Sequence, residues 1–195
     1  MPNRRSGLNL IELIMSMVLM SLVLLAFFSI DLFSRNHVIS SDRRAKVQNE
    51  ISYAIGDMSK YVQQSIGDYN NPPIVRYPAA GAQTGFQVRL DLNNPRTPRD
   101  LLDDSWVIFY LNGNQLIRIL PGYPNETLSS RVSGIFVANV MPDYPTEGFY
   151  VRIADQGMSV DVGLVGRYDP AATANSDNPQ IAMKTRLVSP SSPAQ

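Results

Sequence analysis

The 195-residue chain contains no cysteine, which excludes a disulfide framework, a thiolate metal site and a cysteine nucleophile. It has no G-x-S-x-G turn, and its one histidine, His37, lies just beyond a long apolar run, so a nucleophile, base and orienting acid are not expected in contact. Catalysis is therefore not expected. Excess charge is missing too: 17 Lys and Arg balance 17 Asp and Glu. A chain without a basic excess is not expected to have nucleic acid as its main partner, because phosphate binding needs a basic face. Helix breakers are scarce at the start. Of 14 prolines only Pro2 precedes residue 72, and Gly56 is the only glycine between Leu8 and Ile66.

What fills that breaker-free stretch is a long helix in two regimes. From Leu13 to Ile30, 15 of 18 residues are apolar and the others are Ser16, Ser21 and Ser29. At 1.5 Å per residue this run is about 27 Å long, enough for a bilayer core. Beyond Asp31 the pattern becomes amphipathic. Val47, Ile51, Ile55, Met58, Val62 and Ile66 recur at helical spacing and mark a buried face. Arg43, Arg44, Lys46, Glu50, Asp57 and Lys60 fall on the other face, and Gly67-Asp68 is the expected stop.

The remainder reads as antiparallel sheet. Phe86, Val88, Leu90 and Leu92 alternate with polar residues. Trp106–Leu111 and Asn114–Leu120 form a hairpin, with Asn112-Gly113 suited to a type I′ turn. Further strands are expected at Ile135–Val140, Gly148–Ala154, Met158–Val165 and Ile181–Val188. The fold class is thus α+β, a long N-terminal helix packed on an antiparallel β domain. The expected organisation is 1–7 leader, 8–30 membrane and assembly helix, 31–66 amphipathic continuation, 67–188 β-rich domain and 189–195 flexible tail.

Three readings compete for residues 1–30: a cleaved secretory signal, a plain single-span anchor, and a processed assembly helix. The first lacks an A-x-A-like site after the apolar run. The second leaves Glu12 a tolerated interfacial acid, although a carboxylate in a span is costly and marks a functional hypothesis. The third gives work to the Arg4-Arg5 patch, to Gly7 and to Glu12 at the head of the apolar run. Orientation is not set by charge alone, since Arg4 and Arg5 precede the span while Arg35, Arg43 and Arg44 follow it.

Ser6-Gly7-Leu8-Asn9-Leu10-Ile11-Glu12-Leu13-Ile14 resembles the class III signal of type IV pilins and type II secretion pseudopilins. The family pattern is G-F-T-L-x-E followed by apolar residues. Gly7, Leu10, Glu12 and the span after them match. Leu8 and Asn9 replace the usual phenylalanine and threonine. Ser29 stands where many major pilins have a helix-loosening proline, and the cysteine pair of many major pilins is impossible here. Length and the Trp106–Leu120 hairpin are more similar to the larger minor subunits, the W-type minor pilin and the J-type minor pseudopilin. The tip-capping minor pseudopilin usually lacks the glutamate that this chain retains.

The resemblance implies cleavage between Gly7 and Leu8 by a membrane prepilin peptidase, and N-methylation of Leu8. It implies partners in other pilins or pseudopilins and in an inner-membrane assembly platform. It also implies an inner-membrane location with a cytoplasmic N-terminus, then a pilus or pseudopilus. Glycine at the cut presents no side chain to close backbone approach. Cleavage turns the Leu8 amide into an amine of ordinary pKa about 7.7–8.0, largely cationic at neutral pH. Glu12 would then pair with the amine of a neighbouring subunit. Such a pair adds little over apolar packing, but breaking it strands a charge at a cost of about 3–5 kcal/mol. Glu12 is therefore expected to set register and recruitment.

No cofactor is expected. The polar loop Tyr168–Pro179 carries Asp169, Asn175, Asp177 and Asn178, oxygen donors that calcium would accept, but without the D-x-[DN]-x-[DN]-G spacing. Asp100, Asp103 and Asp104 read as a solvated turn. Trp106, Phe109 and Tyr110 read as core on one strand face and cover on the other.

Overall fold

The computed structural model describes residues 9–78, 81, 84–92 and 100–190. The chain divides into two compact units, Met1–Ser41 and Asp42–Gln195. Helix α1 spans Leu10–Gln63. In the first unit every described residue from Asn9 to Ile39 is exposed. Among the described residues α1 is the one helix long and apolar enough to cross a membrane.

The second unit holds the rest of α1 and nine strands: β1 Ile74–Tyr77, β2 Gly85–Leu90, β3 Ser105–Asn112, β4 Gln115–Ile119, β5 Glu126–Ser129, β6 Phe136–Ala138, β7 Phe149–Ala154, β8 Ser159–Arg167 and β9 Gln180–Val188. They form two sheets, ordered β1-β2-β3-β4-β5 and β6-β7-β8-β9. The expected α+β architecture is present: the helix packs on antiparallel sheet. One pair departs from it, β6 running parallel to β7. Residue pattern cannot disclose this, because strand direction depends on the connection.

The hairpin differs by one position from expectation. Asn112 pairs with Gln115, so the two turn residues are Gly113 and Asn114, not Asn112 and Gly113. Only Gly113 of the two has positive φ, at 57°. Glycine at the first central position with an ordinary second residue is the type II′ arrangement rather than I′.

Val47, Ile51, Ala54, Met58, Tyr61 and Val62 of α1 are buried in one apolar core with residues of both sheets, among them Phe86, Phe109, Phe149, Val160, Val162 and Leu164. The helix ends at Gln63, so Ile66 leaves the helical stripe and its N–H donates to Arg89 O at 3.1 Å. Approach of α1 to β8 is close. A Cβ on Gly166 would lie 2.9 Å from Ile51 Cδ1 and 3.2 Å from Val47 Cγ1, so the strand needs glycine there. Strand β8 is covered on its other face as well, where Met141 Sδ lies 3.2 Å from the Cβ position of Gly163. Ser189, assigned to the tail, is buried; its N–H donates to Met158 O and its hydroxyl bonds that of Ser65 at 2.7 Å.

Candidate functional site

Gly7 and Leu8, the expected cleavage and methylation positions, lie outside the described residues. Glu12 lies within them, in the first turn of α1. The carbonyl of Asn9 accepts from Glu12 N at 2.9 Å and Leu13 N at 3.2 Å, which makes Asn9 the N-cap residue. Glu12 Oε2 in turn accepts from Asn9 N at 3.3 Å. This bond is the glutamate half of a capping box, with asparagine in the serine position. Its signal was in the sequence as Asn9-x-x-Glu12, which the assembly motif overlaps. Glu12 thus has a local bond besides any intermolecular one.

The three serines of the apolar run also satisfy themselves. Ser16 donates to Leu13 O, Ser21 to Met17 O and Ser29 to Leu25 O, at 2.8, 2.8 and 2.9 Å. Hydroxyls that bond back to the helix need no water. His37 is exposed, 6.2 Å between ring centroids from Phe33, and Asp31 and Asp42 pair with Arg35 and Lys46.

In the second unit the polar face of α1 is not a purely solvated face. Asp57 binds Arg118 Nη1 of β4 at 2.8 Å, and its side chain is only 9% exposed. Arg118 also bonds Glu126, which accepts from Tyr53 Oη at 2.9 Å. Burial by itself lowers the Arg118 pKa, but Asp57, Tyr61 and Glu126 outweigh it and hold the guanidinium above its ordinary value. The hydrogen bond to Glu126 raises the Tyr53 phenol. Tyr53, Gly56, Asp57, Lys60, Tyr61 and Arg118 line an open groove of about 470 Å³.

A second cluster fastens the polar loop. Glu50 binds Arg131 Nε at 2.7 Å, and Arg131 donates to Tyr168 O. The guanidinium groups of Arg131 and Arg43 lie 4.6 and 5.0 Å from the Tyr168 ring centroid, within cation–π range. Arg43 also donates to Asp177 O at 2.6 Å. Inside the loop Asn178 is the organiser. Its Oδ1 accepts from Asp169 N at 2.7 Å, and its Nδ2 donates to the carbonyls of Asp169, Ala172 and Thr173 at 2.9, 3.2 and 3.1 Å. An amide nitrogen therefore occupies the point where these carbonyls converge. Asn175 Oδ1 accepts from Asp177 N and Asn178 N. No group of three or more His, Cys, Asp or Glu side chains suited to a metal occurs among the described residues.

Two further acids depart from the surface pattern. Asp161 of β8 lies between Arg186 Nε, at 2.6 Å, and Arg152 Nε, at 2.8 Å. The Arg186 hydrogen bond, aided by Arg152, holds its carboxyl below the usual range against the opposing effect of burial. Asp104, expected in a solvated turn, has a side chain only 2% exposed and meets Arg89 at 3.9 Å. Burial pushes its carboxyl up, with Arg89 opposing and Asp103, Asp91 and Asp100 adding to the rise. Phe109 is core, whereas Trp106 lies beneath Arg89 and Tyr110 against Tyr77, as the alternation implies.

Sequence reasoning missed the Arg118 and Arg131 clusters because the partners of Asp57 and Glu50 lie 61 and 81 residues away. Against known proteins, no family model, no curated protein and no solved structure matches the chain.

Proposed function

We propose that the chain is a minor pilin or pseudopilin, a structural subunit cut between Gly7 and Leu8 by prepilin peptidase, methylated at Leu8 and incorporated into a type IV pilus or type II secretion pseudopilus. The observation that carries this reading is α1 itself. One helix presents an exposed apolar run with self-satisfied serines and also supplies core residues to the sheet domain. The apolar run is suited to lie in a bilayer and later against other apolar helices, while Glu12 at its head offers a charge to a neighbour's new amine. On this reading the protein acts by assembly and not by catalysis, and it needs no cofactor.

A second reading, a single-span anchored binding domain that never polymerises, is favoured by the bond from Asn9 N to Glu12 Oε2, which gives the acid a purely local job. Glutamine separates the two roles of Glu12, whereas absence of the wild-type chain from sheared filaments would favour the anchored domain. Glu12→Gln keeps an acceptor for Asn9 N but removes the charge, and Glu12→Leu removes both. If pairing with an amine is the role, both variants are cleaved normally but both fail to enter sheared filaments on immunoblotting. Wild-type incorporation of Glu12→Gln assigns the residue to capping and removes its assembly role.

A further inference from the structure

Each sheet of the second unit has two edges, and three of these four edges are short. Strands β1 and β5 have four residues each and β6 has three, whereas β9 runs for nine residues along the edge of its sheet. Its pairing with β8 is unbroken from Gln180 to Val188, with no bulge and no proline. Short strands, bulges and prolines are the usual guards of an edge, and β9 has none of them.

The backbone groups of an antiparallel strand alternate in direction. Ser189 N donates to Met158 O and Pro179 O accepts from Tyr168 N, so the odd-numbered residues of β9 turn their backbone groups to β8. Ala182, Lys184, Arg186 and Val188 therefore turn theirs outward. All four residues are exposed, and among the described residues no hydrogen bond reaches these outward groups. The side chains alternate as well. Ile181 and Met183 pack against the core, while Lys184 and Arg186 lie on the opposite face of the sheet with Arg152. On that face three cations meet two carboxylates, the buried Asp161 and Asp143, whose side chain is 95% exposed and 3.6 Å from Lys184. Positive charge is left over.

We infer that β9 receives an added strand from a different polypeptide, one in which carboxylates alternate with apolar residues. The outward N–H and C=O groups supply the ladder, Lys184 and Arg186 select the carboxylates, and the side bearing Ile181 and Met183 selects the apolar residues. A second copy does not fit. Antiparallel pairing of two β9 strands centred on Lys184 sets lysine opposite lysine, and a shift by one pair sets Lys184 opposite Arg186. Like charges directly opposite are destabilising. The contact joins unlike chains and so does not propagate from copy to copy. It stands apart from the filament reading, because a minor subunit and an anchored binding domain would use the same edge.

The test uses the full-length protein in detergent and a dye-labelled peptide of alternating glutamate and valine, matched in length to β9. By fluorescence anisotropy this peptide is expected to bind saturably, at least tenfold tighter than a peptide of alternating lysine and valine. Residue-resolved hydrogen exchange is expected to slow at Ala182, Lys184 and Arg186, whose N–H groups face outward. Ala182→Pro removes one outward donor and nothing from the β8 ladder, so its melting temperature should stay near wild type while binding falls at least tenfold. Lys184→Glu should weaken the glutamate peptide at least tenfold and strengthen the lysine peptide. Should the proline variant unfold, the exchange pattern and Lys184→Glu decide. No binding, equal binding of the two peptides, protection confined to residues outside β9, or indifference to either substitution overturns the inference, as does a dimer of this chain that Ala182→Pro abolishes.

Discussion

Gly166→Ala probes the seat of the helix on β8. The added Cβ would sit 2.9 Å from Ile51 Cδ1, 3.1 Å from Ile51 Cγ1 and 3.2 Å from Val47 Cγ1. Favourable carbon contacts lie at about 3.5–4.0 Å, so all three approaches are too short. Ile51 and Val47 are fully buried, so neither side chain can swing out into solvent. Overpacking of this kind costs about 1–3 kcal/mol, and removing a strand glycine returns about 0.5–1 kcal/mol. The net expectation is a loss of about 1–2 kcal/mol, or about 2–8 °C in melting temperature for a chain of this size.

The second arm removes the closest atom. Ile51→Val deletes Cδ1 and by itself costs about 0.5–1.5 kcal/mol. In the double variant the closest approach is relieved while those of 3.1 and 3.2 Å remain, so the combined loss should fall short of the sum of the two single losses by about 1 kcal/mol. Urea unfolding of the four full-length proteins in detergent, followed by the fluorescence of Trp106, measures the cycle. Additive losses within about 0.5 kcal/mol, or a stabilising Gly166→Ala, would refute the close docking of α1 on β8.

Asn178→Ala removes four hydrogen bonds from the polar loop and should cost about 2–4 kcal/mol locally, since each is worth about 0.5–1.5 kcal/mol and they are not independent. Amide hydrogen exchange over residues 169–178 should accelerate, and unchanged exchange would mean that Arg43 and Arg131 hold the loop alone. Asp161 has a folded pKa below its unfolded value, so its contribution to stability is present above the ordinary carboxylate range near 4 and lost as pH falls through the folded value. Asp161→Asn should therefore be less stable at pH 7, with its urea midpoint converging on wild type as pH falls below the ordinary carboxylate range; parallel curves would contradict the pairing. The glutamine and leucine variants of Glu12 should both be cleaved and both be excluded from filaments, as judged by immunoblotting of the sheared fraction.

Much of this fold was legible because its elements have strong periods. The stripe from Val47 to Val62 located the buried helix face, alternation located β2, the hairpin pattern located β3 and β4, and short apolar runs located β6, β7, β8 and β9. Ala54 and Tyr61 completed that face without being foreseen, one too small and the other too polar to stand out. Strands β1 and β5 went unread because each has four residues, one follows Pro72-Pro73 and the other has a single large apolar residue, Leu128. The hairpin slipped by one because cross-strand pairing, not the Asn-Gly dipeptide, set its register. Charges were hardest. Glu50, Asp57 and Asp104 read as surface residues, yet each meets an arginine brought to it by tertiary structure. At the head of α1, Glu12 was legible as an unusual acid, while its capping bond to Asn9 needed the helix start to be placed at Leu10.

The most direct test of the filament reading is the mass of the mature N-terminus. Protein isolated from producing cells is digested and its first peptide sequenced by mass spectrometry. The account expects that peptide to begin at Leu8 with one methyl group on its amine, and Gly7→Leu to leave the uncut chain. An unmethylated chain that still carries residues 1–7 in otherwise wild-type protein would contradict it, as would a mature start near residue 30.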